Sequence, residues 1–237
     1  MSNPSRPIPH SVSVIENFAD FYESWLTTQR SLLEQLLHVS QITDYKEERQ
    51  LGLIKQVLAH YQLYHEEISK AVSEDVFRTF SAPWLTSYER TLLWISGFKP
   101  SIVFRLVDSA VKDLTPAQAA SLEELKADVK RKERDLTEAM ASLQETVAAP
   151  PLVGLARRAG RLVDGEICEM KNAIEELKIG MLGVFYSADL LRGSTMKRVM
   201  EILKTDQTLR PLAAATEFQQ RIRRWGIQRD SQRTRTI

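Results

Sequence analysis

The 237-residue sequence predicts an all-α fold, a single-domain bundle of long antiparallel amphipathic helices. Three observations carry this. Apolar residues recur three or four apart through most of the chain, and no stretch holds the period-two alternation of a strand. Only nine glycines and nine prolines punctuate the chain, which implies long elements and short loops. Helix starts and stops are written out locally as capping motifs. The length suits one sizeable core.

Residues 1–13 lack the apolar stretch of a secretory leader and form an expected disordered lead-in. From Val14, the residues Phe18, Phe21, Trp25, Leu32 and Leu36 line one face of a first helix. A second helical stretch over 47–80 carries Leu51, Ile54, Leu58, Tyr61, His65, Ile68 and Val72, with a restart offered at Ser73-Glu74-Asp75. The segment 84–101, WLTSYERTLLWISGFKPS, then predicts a helix of about three turns, too short to stand without packing. Thr86 can N-cap it, and Glu89 completes a capping box. Gly97 supplies the left-handed terminus and Pro100 the stop. Trp84, Trp94 and Phe98 are expected packing anchors, with Glu89 and Arg90 at most a structural ion pair.

A helix over 100–112 follows. Thr115-Pro116-Ala117-Gln118 joins an N-cap, a first-position proline and a capping-box glutamine, and opens a long helix. Leu122, Val129, Leu136 and Leu143 repeat every seven residues along it, until Pro150 and Pro151 end it. A loop is expected over 152–162. Val163, Ile167, Met170, Ile174, Leu177, Met181, Val184, Ala188 and Leu191 form the most regular stripe. Two closing helices, about 195–204 and 207–226, precede a basic disordered tail over 227–237.

The formal charge of +1 predicts no general attraction to nucleic acid. The single cysteine, Cys168, cannot pair within the chain; it is expected as a buried structural thiol in a reducing compartment, the nucleus and cytoplasm. No apolar run approaches the roughly 20 residues that span a bilayer.

Nothing in the chain asks for catalysis, so no enzyme is expected. His10 and His38 lie near ends, and His60 and His65 are five apart, whereas a helical metal pair needs a spacing of four. No metal site follows. Glu66-Glu67, Glu123-Glu124 and Glu175-Glu176 diverge around their helices as solvated faces, and the mixed run 130–135 is a charged helix face. Gly-rich phosphate loops and hydrolase motifs are absent. From 219 to 237, arginines 221, 223, 224, 229, 233 and 235 stand against Asp230 alone, a net of +5 that leaves −4 elsewhere. Arg221, Arg223, Arg224 and Arg229 could serve nuclear import or phosphate contact, or simply solubilise a frayed end. No basic region is joined to a leucine zipper, so direct DNA reading is not expected.

The 84–101 block resembles the W-x-T-x-x-E-R-x-x-x-W-I-G-G-F-[RK]-P-S signature of the plant Delay-of-Germination (DOG) domain. That domain also forms the C-terminal half of TGA-type bZIP transcription factors. Trp84, Thr86, Glu89, Arg90, Trp94, Gly97, Phe98 and Pro100 match it, while Ser96 replaces its first glycine. Phe18, Phe21, Tyr22, Trp25, Leu26 and Gln29 resemble the family's opening, and Ala188 to Arg192, Thr195, Ile202, Leu203, Gln207 and Phe218 its ending. The resemblance spans about 14–226.

It implies an all-helical, non-enzymatic regulator in seed dormancy, germination, seed maturation or pollen development. It implies binding to type 2C protein phosphatases of abscisic-acid signalling through a D-x-Y-x-x-W element, matched here by Asp20, Tyr22 and Trp25. Trp25 lies on the apolar stripe and is expected in the core; Asp20 and Tyr22 lie off it and are expected as exposed contacts. The family's haem site uses C-terminal histidines. This chain has none after His65, so no cofactor is expected. The alternative function is transcription regulation, reaching DNA indirectly through TGA-type partners or the basic tail. A homodimer and a small-molecule sensor with an apolar pocket between helices stay open beside these.

Overall fold

The computed structural model describes residues 14–41, 46–149, 152–158 and 164–234. Among these, nine helices run in order: α1 (Val14–Gln41), α2 (Glu47–Glu74), α3 (Val76–Ser81), α4 (Ser87–Thr91), α5 (Ile102–Ala110), α6 (Pro116–Ala148), α7 (Leu152–Arg157), α8 (Asp164–Ile202) and α9 (Thr205–Thr234). The fold is all-α. The lead-in 1–13 with His10, the pair Pro150 and Pro151, Val163 and residues 235–237 lie outside the described residues.

α1 packs against α2 and α9, α6 against α8, and the short α4 and α5 against α9. Phe18, Tyr22 and Trp25 of α1 meet Ile68 and Val72 of α2, Trp84, and Phe185 of α8 in the largest aromatic core. Leu36, Val57, Leu209 and Leu212 make a second cluster. A third joins Phe104 and Val107 of α5 to Leu125 and Val129 of α6 and to Val199 of α8. Each such side chain, once buried, contributes about 1.5–3 kcal/mol.

Capping works where the local signals place it. Asp75 accepts the Arg78 N–H at 2.9 Å and so restarts the chain as α3. Thr115 and Gln118 form their reciprocal box at the start of α6. Gln118 Nε2 also donates to the Ile202 carbonyl at 2.8 Å, tying the start of α6 to the end of α8.

Five local expectations are corrected. Helix α4 covers only five residues, and Gly97 does not end it; the left-handed residues are Ile95 (φ 48) and Ser96 (φ 58). They form the tip of a tight turn closed by Trp94 N–H to Gly97 O at 2.6 Å and Gly97 N–H to Trp94 O at 3.2 Å. The expected loop at 152–162 contains α7, whose Leu155 is buried. α8 continues through Gly193 and Ser194, because Leu191, Thr195 and Val199 bury one continuous stripe across them. α9 runs past Gly226 to Thr234, so the described part of the basic tail is helical. Cys168 is exposed, since α8 there extends beyond the main core.

Candidate functional site

The signature segment is held at two buried charged centres, one on each side. The first is Glu89, 3% exposed on α4. Its Oε2 accepts the Thr86 N–H at 2.8 Å and the Thr86 hydroxyl at 2.7 Å, completing the capping box. The same oxygen accepts from Arg223 Nη1 of α9 at 3.0 Å, and Oε1 accepts from the Tyr22 hydroxyl of α1 at 3.3 Å. Arg223 also donates to the Trp84 carbonyl at 3.0 Å and to Glu23 of α1, with its guanidinium 5.4 Å from the Tyr22 ring centre. One carboxylate therefore ties α1, α4 and α9 together. Burial pulls the Arg223 guanidinium down, but Glu89 and Glu23 outweigh this and leave its affinity for the proton raised.

The ion pair expected between Glu89 and Arg90 is not formed. Arg90 points outward, and Arg223 takes its place, because α9 brings this guanidinium to the inner side of α4. This also reassigns Arg223 from a tail contact to an internal strut. Arg221 pairs with Glu217 at 2.5 Å on the α9 surface, while Arg224 and Arg229 are exposed.

The second centre is Arg192 of α8. Its Nε donates to Phe98 O at 2.9 Å, and Nη2 donates to Trp94 O at 2.6 Å and Ile95 O at 2.8 Å. The guanidinium lies 5.5 Å from the Trp94 ring centre and 3.8 Å from Asp189. Gly97 is needed for this approach: a Cβ there would sit 2.7 Å from Arg192 Cζ. Trp94 Nε1 donates to Thr137 Oγ1 of α6 at 2.9 Å, and Phe98 packs at 6.0 Å from Phe218 of α9. Pro100 is buried, and the adjacent Ser101 N–H donates to the buried Glu133 at 2.7 Å. Glu133 therefore leaves the expected charged face of 130–135 and joins the core.

Between these centres, α1, α2, α8, α9 and the 92–101 turn line a partly open cavity of about 510 Å³. Its wall is mainly apolar and aromatic, with Trp25, Tyr61, Tyr64, Phe98 and Phe185 prominent. Burial raises the pKa of Tyr22, Tyr61 and Tyr64, so these hydroxyls stay protonated at neutral pH. His60 stacks on Trp25 at 4.5 Å and 6°, while His65 Nδ1 lies 2.7 Å from Asp189 Oδ1. The two histidines serve different contacts. Among the described residues, no three His, Cys, Asp or Glu side chains gather as metal ligands.

The D-x-Y-x-x-W element divides differently from the expectation. Trp25 is core, and its Nε1 donates to His60 O at 2.9 Å. Tyr22 is also core, 2% exposed, which corrects its place as an exposed contact. Phe18, Tyr22 and Trp25 are the true four-and-three stripe, and Phe21 sits half-buried beside it. Asp20 alone of the three is exposed. The sequence singled out Arg192 only within the family ending. Its signal is a lone arginine on the apolar stripe of α8.

Comparison with known proteins supplies the family. A family profile described as seed dormancy control matches residues 29–109. The chain is 42% identical to Protein ZW2 of Arabidopsis thaliana over 221 residues, covering 90% of this chain and 97% of that protein. It is 37% identical to Protein RESPONSE TO ABA AND SALT 1 of the same plant, covering 90% and 96%. Similarity to Transcription factor TGA2.3 of Oryza sativa subsp. japonica, 28% identical, covers 85% of this chain but 61% of that protein. With the signature turn clamped by Glu89 and Arg192, and full-length relatives of this similarity, the chain belongs to the DOG-like family of plant regulatory proteins.

Proposed function

We propose that this protein is a non-enzymatic regulator that acts by protein–protein contact in abscisic-acid-linked seed or developmental signalling, in nucleus and cytoplasm. Type 2C protein phosphatases are the proposed partners. The name of the relative RESPONSE TO ABA AND SALT 1 supports the hormonal setting. The observation that carries the contact is Asp20: it stands exposed on α1 while Tyr22 and Trp25, two and five residues on, anchor that helix in the core. A rigid helix thus presents an acidic residue without paying to order it on binding. Affinity purification from seed extract with the wild-type chain and Asp20→Lys tests this. Phosphatase recovered by the wild type and lost with the variant supports the contact; no phosphatase with either chain overturns it.

A second reading, transcription regulation through TGA-type partners or through phosphate contacts, rests on the similarity to TGA2.3 and on the exposed Arg224 and Arg229 of α9. Deleting 219–237 would remove Arg223 and the buried Ile222, so the clean variant is Arg224→Glu/Arg229→Glu. A salt-sensitive mobility shift abolished by that pair favours direct contact with nucleic acid. A shift that needs an added TGA-type factor favours the indirect route.

A further inference from the structure

Two consecutive residues of the 92–101 turn hold a backbone conformation that favours glycine: Ile95 has φ 48 and Ser96 φ 58. For Ile95 the cost is offset by packing, since its side chain is buried with Val184 and Ala188 of α8. Ser96 has no such compensation. Its Oγ is buried and has no hydrogen-bond partner among the described residues. A glycine would remove both costs, and the signature matched by 84–101 carries one at this position. Arg192 holds the turn in place through the Trp94 and Ile95 carbonyls. Backbone strain kept together with an unused polar group points to a functional position.

Ser96 lines the cavity between the two charged centres, together with Tyr64, Phe98 and Phe185. We propose that this cavity binds a neutral, lipophilic molecule carrying one hydroxyl or carbonyl oxygen, and that the Ser96 hydroxyl takes that oxygen as its hydrogen-bond partner. A single χ1 rotation moves Oγ among its staggered positions without disturbing the turn. The volume of about 510 Å³ suits a drug-sized ligand, and the aromatic wall favours a flat one. Charge decides against an anion. Glu89 is matched by Arg223, Asp189 by His65 at 2.7 Å, and Arg192 by Asp189 and three carbonyls. The lining lysines, Lys99 and Lys197, stand exposed, where water solvates them. A carboxylate carried inside would lose its water and, among the described residues, find each interior cation already matched. A neutral oxygen needs only one hydrogen bond. This inference is independent of the phosphatase reading, whose contact is on α1.

Titration of the purified full chain with three pyrenes of one shape, read by energy transfer from tryptophan, tests this. Pyrenemethanol carries the hydroxyl, methylpyrene lacks it, and pyrenecarboxylate replaces it with a charge. Pyrenemethanol should bind roughly fivefold tighter than methylpyrene, as one hydrogen bond to a buried group predicts. Pyrenecarboxylate should bind weakest. Ser96→Gly should abolish the difference between the first two while raising the melting temperature of the ligand-free chain, a split that a purely structural serine does not give. Ser96→Ala, which keeps the strained backbone, should abolish the difference as well. Phe185→Trp, which adds bulk to the wall, should weaken all three. Failure of the wild type to bind pyrenemethanol overturns the proposal, as does equal binding of pyrenemethanol and methylpyrene. A preference that survives Ser96→Gly assigns the oxygen to another group and overturns it; binding indifferent to Phe185→Trp places the probes on the surface and does the same. Tightest binding by pyrenecarboxylate, lost in Lys99→Ala/Lys197→Ala, gives the cavity to an anionic ligand held at its rim and overturns it too.

Discussion

Arg223 donates to Glu89 across 134 residues of sequence, at 3.0 Å, with side-chain exposures of 13% and 4%. The most recognisable block of the chain is therefore locked by a residue near its far end. Arg223→Ala leaves the Glu89 carboxylate buried without its cation, and should destabilise the fold by about 3 kcal/mol. Urea unfolding followed by circular dichroism measures this. A loss below about 1 kcal/mol would show that Arg223 behaves as an ordinary surface arginine.

Tyr22 separates structure from contact. Tyr22→Phe keeps the 5.9 Å stack on Trp25 and loses only the hydroxyl bond to Glu89, so it should cost about 1 kcal/mol. Tyr22→Ala opens a cavity beside Phe18 and Trp25 and should cost about 3–5 kcal/mol. Partner capture should survive the first change. If Tyr22→Phe abolishes capture at unchanged stability, the hydroxyl reaches the partner after all.

Ser96 and Gly97 should respond in opposite directions. Ser96 holds φ 58 with a buried hydroxyl that has no hydrogen-bond partner among the described residues. Ser96→Gly should stabilise the protein by about 1 kcal/mol. Gly97→Ala drives a Cβ into the Arg192 guanidinium and should destabilise it by about 2 kcal/mol by loosening that group from the Trp94, Ile95 and Phe98 carbonyls. Thermal melting of both variants checks the pair; equal shifts of one sign would contradict it.

How much of this was legible depends on the range of the interaction. The Thr86–Glu89 and Thr115–Gln118 boxes, and the Asp75 restart, are contacts within three residues, so the chain displays them directly. Gly226 looks like a helix terminator, yet its role is close approach: a Cβ there would meet Thr86 Oγ1 at 2.0 Å. Gly193 costs helix propensity of about 1 kcal/mol, which packing of Leu191 and Val199 on either side offsets. Tyr22 was misplaced because Phe18–Phe21–Trp25 and Phe18–Tyr22–Trp25 are equally helical spacings, and only α2 and α4 decide between them. Partners brought together by tertiary packing are not marked locally: nothing in the chain pairs Arg223 with Glu89, and Arg192 shows as an arginine on the apolar stripe of α8 without pointing to Trp94.

His60 gives the fold an acid sensitivity. Burial lowers its pKa below the ordinary 6.5, and its Nε2 has no hydrogen-bond partner among the described residues. The unfolded chain therefore takes up a proton that the folded one resists, so His60 lowers stability as pH falls below about 6.5 and has no such effect above it. Urea midpoints at pH 7.5 and 5.5 should fall more for the wild type than for His60→Phe. Identical falls would place the sensitivity elsewhere.

The partly open cavity between the two charged centres is large enough for a small apolar molecule. Because Trp25 lines it, an environment-sensitive dye should bind with energy transfer from tryptophan, and Phe185→Trp, which adds bulk to the wall, should reduce that binding. Equal binding by both chains would place the dye on the surface.

The structure divides the chain into an internal lock, made by Glu89, Arg223 and Arg192, and an exposed acidic position at Asp20, the partner contact proposed above. Quantitative capture of a type 2C phosphatase from seed extract tests that division most directly, with Asp20→Lys compared against Arg224→Glu/Arg229→Glu at matched stability. Capture should fall at least tenfold with Asp20→Lys and stay unchanged with the α9 pair. Undiminished capture by Asp20→Lys, or loss only with the α9 pair, would contradict it.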